Sequence, residues 1–544
     1  MNIPRRALLT AVALLSAAGS TLGQRPCFVT KQTAVDPDGD DRYGWSVAIC
    51  EDVTVSAAFK HDDNGLNSGA VYVHRFDGTD WVFEQELLAS DGMSQDRFGW
   101  SVDTNASRIV IGAREDNDPV DGSNTGSAYV FMWDGATWIE EQKLVALDAD
   151  PDDEFGTSVA MNGDLIVVGA DGDDEGGSGA GAAYVFELSG AVWSQVAKLL
   201  ASDAGAGDGF GGSVAIDADV IAVGAPLESA VGSFAGAAYV FRSVLGTWSE
   251  QDKLAATDLA TNDRFGSDVS VSGSSVLVGA MNAPSTGAND SGAAYVFVED
   301  GGNWTEEQKL EANDSSLGDL FGWSVSIDGD VALIGAYLED GAGSDSGAAY
   351  GYGRVGDTWT QRTKFIDDDT AASDAFGFSV DLWGERLLVG AWGDDDIEDE
   401  SGSAYVFTWE PSIGANYCSG EPNSVGPGAT LSATGSPVVA DDDFRLTARC
   451  ALPGGPGLFF MGTTMVNAPF GEGRRCTGGM VLRLNPPVFA DAAGTATRGP
   501  SLQAMPLAGN VLAGSGWNAQ YWYRDQVGGP DGFNLSDGVH VDFQ

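Results

Sequence analysis

The chain has 544 residues, with 80 acidic against 27 basic side chains and a formal net charge of −53. A surface of that sign repels phosphate backbones and anionic lipid, which excludes nucleic acid and acidic membrane as partners. Hydrophobic residues make up 43%, enough for a packed core, and the length allows more than one domain.

At the N-terminus, Arg5 and Arg6 precede the apolar stretch 7–18, and small residues follow up to Gly23. This pattern predicts a secretory signal over residues 1–23 and an exported, extracellular or cell-surface protein. The stretch is too short to favour a membrane anchor, and no second one is long enough to span a bilayer.

A Phe-Gly pair (once Tyr-Gly) then recurs seven times. It stands at Tyr43-Gly44, Phe98-Gly99, Phe155-Gly156, Phe210-Gly211, Phe265-Gly266, Phe321-Gly322 and Phe376-Gly377, in steps of 55, 57, 55, 55, 56 and 55 residues. Self-similarity at that period marks a repeat architecture. Within the third copy, the β-prone runs around Ser158–Ala160 and Leu165–Val168 flank Asn162-Gly163, a two-residue hairpin signal. These are strands A and B. Strand C follows around Tyr184 and strand D opens at Trp193. Four short antiparallel strands per repeat make one blade of a β-propeller. In six copies the strand-C tyrosine precedes the strand-D tryptophan by nine residues, as in Tyr184 and Trp193.

The seventh copy lacks its strand D: the residue nine past Tyr405 is Gly414. The missing strand is legible at the other end of the chain. Lys31 stands relative to Tyr43 as Lys143, Lys198, Lys253, Lys309 and Lys364 stand relative to the next Phe-Gly pair. Residues 27–34 therefore read as the outer strand of the blade begun by Phe376, closing a ring of seven and removing its exposed edges.

The repeat, FGxSVxxxGxxxxVGA followed by SGAAYVF, resembles the FG-GAP family of β-propellers, known from integrin α-subunit heads, in its bacterial form. The resemblance covers residues 26–409. It implies secretion, ligand recognition and often calcium. The A–B turns here are too short to supply the six to eight oxygens that calcium takes, so the family's calcium sites do not carry over to them.

Each blade has an aspartate pair ahead of its Phe-Gly: Asp36/Asp41, Asp91/Asp96, Asp148/Asp153, Asp203/Asp208, Asp258/Asp263, Asp314/Asp319 and Asp369/Asp374. Seven equivalent catalytic sites are implausible, and aspartates hold tight turns by accepting backbone N–H groups. The pairs are assigned a structural role. The B–C loops vary instead. Blade seven has Asp394, Asp395, Asp396, Glu398 and Asp399, and blade three has Asp171, Asp173 and Asp174. Strand alternation puts these loops on the face of the aspartate pairs. If the protein takes calcium, these carboxylates are its expected ligands. The strict periodicity of the tyrosines and tryptophans marks them as packing residues. Only three histidines occur, His61, His74 and His540. None is spaced for a nucleophile–base arrangement, and no catalytic constellation stands out.

The period stops after Trp409. The propeller is placed at residues 24–410, with 410–414 as linker, and residues 411–544 hold short β-prone runs that suggest a small β-sandwich. This segment resembles a C-terminal module of secreted bacterial proteins. From that resemblance, Cys418 and Cys476 are the expected disulfide. The five cysteines are odd in number, so at least one is unpaired within the chain; Cys27–Cys50 is a weaker candidate pair and Cys450 the expected free thiol. The fold class is thus all-β. The expected function is non-enzymatic binding or adhesion, with an extracellular protein or glycan as partner and calcium as a candidate aid. The alternative is a polysaccharide lyase or hydrolase on the same scaffold.

Overall fold

Short β-branched runs between turn residues cannot bury their faces singly, and the chain resolves this by stacking seven four-stranded antiparallel sheets. A computed structural model describes residues 27–117, 123–285, 290–366, 369–409, 415–418, 423–424, 428–435, 438–470, 473–491, 494–502, 511–512, 514–525 and 532–543. The elements among them are all strands, and none is a helix long and apolar enough to cross a membrane. The predicted signal segment, the linker at 410–414, and the side chains of Cys27 and Cys418 lie outside the described residues. Gln24–Ile413 and Gly414–Gln544 form separate compact units.

Six sheets of the first unit are continuous in sequence. In blade three, Ser158–Asn162, Leu165–Ala170, Ala182–Ser189 and Val192–Leu199 pair in that order. Its A–B turn lies one residue later than expected. Asn162 pairs with Leu165, so the central residues are Gly163 and Asp164, and of these only Gly163 has positive φ. That matches a turn with glycine at its first central position.

The seventh sheet is completed from the N-terminus. Cys27–Gln32 pairs antiparallel with Ser403–Thr408, and Lys31 sits opposite Tyr405. Lys198 sits opposite Tyr184 in the same way. Leu388, Ala404 and Val406 of blade seven then pack with Tyr43, Val47, Ile49 and Tyr72 of blade one. The innermost strands are also laced across that joint: Ser379 Oγ accepts the Val47 N–H at 3.0 Å and Asp381 Oδ2 the Ile49 N–H at 2.8 Å.

The Phe-Gly pair is a close-packing device. All seven aromatics are fully buried, and Phe155 meets Tyr184 edge-on at 5.4 Å. Burying such a ring is worth about 1.5–3 kcal/mol. Gly156 has φ +94°, and a Cβ there would lie 2.4 Å from the Ser127 carbonyl oxygen. On the outer strands the tryptophans do pack between blades. The Gln142 amide both donates to the Trp193 carbonyl and accepts its N–H, each at 2.9 Å.

Among the described residues, the second unit holds two sheets. The larger centres on Pro456–Phe470, Gly473–Arg483, Gly516–Arg524 and Gly538–Asp542; the smaller comprises Thr430–Thr434, Arg445–Arg449 and Ala496–Arg498. Tyr521 and Tyr523 are buried in it. The cysteine assignment needs correction. Among the described residues Cys450 and Cys476 are disulfide-bonded and Cys50 is free. Cys50 lies half-buried at the end of an A–B hairpin. Burial first, then Asp103, Glu51, Asp381 and Asp52, push its thiol up to about 12, which leaves it unreactive.

Candidate functional site

The D–A and B–C loops share one face. Asp40 N–H donates to the Asp399 carbonyl at 2.8 Å, and Asp152 N–H to Ser123 at 3.0 Å. The loop ahead of each blade is thereby tied to the preceding blade's B–C loop.

The aspartate pairs divide their work. In all seven, the second member accepts a backbone N–H from three residues earlier: Asp41 from Asp38, Asp96 from Met93, Asp153 from Asp150, Asp208 from Gly205, Asp263 from Ala260, Asp319 from Ser316 and Asp374 from Ala371. This is the expected turn-holding role. The first member does something else. In six blades it binds the strand-D lysine, together with the strand-C tyrosine in most. Asp91 takes Lys143, Asp148 takes Lys198, Asp203 takes Lys253, Asp258 takes Lys309, Asp314 takes Lys364 and Asp369 takes Lys31, each at 2.7–2.9 Å. Asp36, in blade one, accepts from the Tyr72 hydroxyl at 3.0 Å.

The same lysines reach the B–C loops. Lys31 Nζ lies 2.7 Å from both Asp394 and Asp396, and the Tyr405 hydroxyl donates to Asp394 at 2.5 Å. Lys198 Nζ lies 2.8 Å from Asp173, which also accepts from Tyr184. Lys143 holds Asp116 at 2.6 Å and Lys364 holds Glu339 at 2.8 Å. So of the acidic residues singled out for calcium, Asp394 and Asp396 converge, but around an ammonium. Asp395, Glu398 and Asp399 are exposed beside them. In blade three, Asp171, Asp173 and Asp174 are not brought together: Asp174 Oδ1 caps the Gly179 N–H at 2.7 Å while Asp173 faces Lys198. Burial acts to raise the Asp173 carboxyl, but Lys198, the Glu175 N–H and Tyr184 outweigh it and hold it below the usual range.

Most of the turn-holding aspartates shift the other way. Burial is the main cause that raises Asp153 to about 6, and Asp96, Asp319 and Asp374 likewise. An unfolded aspartate titrates near 3.9. The folded protein therefore holds these protons more tightly, and their contribution to stability is full below about pH 4 and lost as pH rises through 6. Asp153→Asn keeps an acceptor for the Asp150 N–H and removes the ionisation. It should gain on the wild type by on the order of 1 kcal/mol between pH 4 and pH 7 in chemical denaturation. An offset that stays constant across that range contradicts the assignment.

A channel of about 400 Å³, lined by the innermost strands of all seven blades, runs down the ring. Three carboxylates reach into it, and each has both oxygens engaged. Asp103 accepts from Thr104 and Met161 N–H, Asp268 from Val269 and Val325 N–H, and Asp381 from Leu382 and Ile49 N–H plus the Ser326 hydroxyl. Where the channel opens on the loop face, the sevenfold sameness breaks. The residue two past the Phe-Gly aromatic is Trp45, Trp100, Thr157, Gly212, Ser267, Trp323 and Phe378 in blade order. Blades six, seven, one and two thus build a crescent of rings. Trp45 lies 5.1 Å from Trp100, 4.5 Å from Phe378 and 4.4 Å from Phe59. Trp323 lies 5.3 Å from Phe378 and 4.9 Å from Tyr337. Arg42 covers Trp392 at 4.3 Å and Arg114 covers Trp100 at 4.5 Å. Those arginines are anchored by Glu400 and Glu154. Sequence reasoning passed over this crescent, although aligning the seven copies at that one position displays it.

A family model described as FG-GAP repeat matches residues 28–74, 81–131, 138–186, 193–241, 248–297, 304–352 and 359–407, more than half of the chain. Each match begins on an outermost strand and ends on the third strand of the next blade, and the first begins on the closing strand. No curated protein matches the chain significantly.

Proposed function

We propose that this chain, which belongs to the FG-GAP repeat family, is an exported, non-catalytic binding protein that presents its loop face to an extracellular protein or glycan. Propellers of this family serve as binding or adhesion scaffolds. The observation that carries the finer reading is the aromatic crescent at the channel mouth. Side chains that break a sevenfold pattern on one sector answer to something other than the ring's own packing, and half-buried tryptophans beside anchored arginines offer rigid stacking surface at low entropic cost. The acidic loops around it keep other polyanions off and favour a neutral or basic ligand.

The rival reading, a polysaccharide-acting enzyme, needs carboxyl groups free to exchange protons with substrate. Each of the three channel carboxylates gives one oxygen to the N–H of the following residue and the other to a neighbouring blade. Calcium assistance belongs to the same proposal at Asp395, Glu398 and Asp399, with Asp394 and Asp396 joining only if Lys31 is displaced. Binding there should be weak, of the millimolar kind found in extracellular modules, roughly 10⁻⁴–10⁻³ M. The test is a glycan and protein array probed with wild type and with Trp45→Ala/Trp100→Ala, each with and without calcium. The wild type should retain a ligand that the double variant binds about 100-fold or more weakly, as expected when two aromatic anchors of an interface are truncated. Equal retention by both proteins removes the crescent from the binding site.

A further inference from the structure

Blade one departs from the lysine arrangement of the other six. The strand-D position held by Lys143, Lys198, Lys253, Lys309, Lys364 and Lys31 is Glu86 in blade one. The B–C position three past the strand-B alanine, which is Asp116 in blade two and Asp173 in blade three, is His61. The exchange takes out an ammonium and gathers Asp36, His61, Asp63 and Glu86, with one ligand atom of each within 4.8 Å of all the others.

We infer that blade one binds a first-row divalent cation of the zinc class through His61 Nε2 and carboxylate oxygens of Asp63, Glu86 and Asp36. His61 is 3% exposed, and its Nε2 has no hydrogen-bond partner, nor has the buried Glu86 Oε1. Nε2 stands 3.5 Å from Asp63 Oδ1 and 3.6 Å from Glu86 Oε1. Ligand atoms on a tetrahedral zinc with bonds of 2.0–2.2 Å lie roughly 3.3–3.6 Å apart, so the gaps match a shared cation better than direct contact. The other ring nitrogen is already placed. His61 Nδ1 lies 3.2 Å from Asp41 Oδ2, and Asp41 is fixed by the Asp38 N–H. An Nδ1–H donated to Asp41 leaves the Nε2 lone pair aimed at the cluster, the carboxylate–histidine–metal arrangement that orients metal-ligating imidazoles. Charge points the same way. In blade two, Lys143 between Asp91 and Asp116 leaves a net −1. In blade one, three carboxylates with a neutral imidazole return to that value when a dication binds. The imidazole favours the zinc class over calcium, which takes six to eight oxygens. This inference is independent of what the loop face binds.

The experiment is calorimetric titration of the untagged protein with zinc chloride, for wild type and for His61→Asp/Glu86→Lys. The double variant rebuilds the blade-two arrangement, so its unfolding midpoint should stay close to wild type. The wild type should show a site that the variant binds at least about 100-fold more weakly, and calcium in tenfold excess should leave the zinc isotherm unchanged. Should the double variant fail to fold, His61→Gln serves instead, with a loss of at least about tenfold. No zinc uptake by the wild type, undiminished zinc binding in the variants, or displacement by calcium each overturns the inference. The first of these leaves His61 as an imidazolium standing in for the missing lysine.

Discussion

Removing residues 27–34 should lower the unfolding midpoint of the propeller by on the order of 10 °C. The segment contributes the whole outer strand of blade seven, with Phe28 opposite Phe407 and Lys31 opposite Tyr405 among its five registered positions. Those ladder bonds are worth about 1 kcal/mol each, or about 5 kcal/mol together, and their loss exposes Ser403–Thr408 as an open edge. The deletion also strips the ammonium from Asp369, Asp394 and Asp396. Asp394 is buried, so its charge is left uncompensated. Lys31→Met separates the two effects: it keeps the strand and should cost about 2–3 kcal/mol. Differential scanning calorimetry distinguishes them, and an unchanged midpoint for the deletion shows that the ring does not depend on its closing strand.

The second large effect is expected at a single methyl group. Gly181 has φ +84°, and a Cβ there would lie 1.9 Å from the Phe210 carbonyl oxygen. The two backbones touch because Gly181 and Phe210 form a parallel bridge. Gly181→Ala must move one backbone or the other, and should cost more than about 3 kcal/mol, combining the left-handed backbone penalty of about 1–2 kcal/mol with the clash. Gly190→Ala is the matched control. Its φ is +70° but nothing lies within 4 Å of its Cβ, so only the backbone penalty of about 1 kcal/mol remains. Comparable losses at both positions in urea denaturation place the cost in φ alone and refute the close approach.

These effects show why the ring was legible in the sequence and the site less so. Blade count and closure follow from spacings that strand geometry enforces, and Lys31 reveals the closing strand because its register against Tyr405 repeats that of Lys198 against Tyr184. The same lysines were readable as register marks but not as counter-ions. Lys198 and Asp148 are 50 residues apart, and Lys31 reaches Asp396 across 365. Counting carboxylates in the blade-seven loop suggested a vacancy for calcium, while the cation that sits there comes from the far end of the chain. The turn in blade three slipped by one residue because Asn162-Gly163 and Gly163-Asp164 are both good turn pairs, and strand pairing out to Asn162–Leu165 decided between them. The aromatic crescent and the blade-one exchange were hidden by the regularity that gave the fold away. Each is a difference between copies, seen only once strand register says which residues correspond.

The proposed binding surface is the loop face at the channel mouth. Hydrogen–deuterium exchange, run on the protein alone and with a ligand taken from the array, tests it most directly. Binding should slow exchange in the segments around Trp45, Phe59, Trp100, Trp323, Phe378 and Trp392, and leave the A–B turns at Gly163, Gly273 and Gly329 on the opposite rim unchanged. Protection confined to those turns, or to the Gly414–Gln544 unit, contradicts the account.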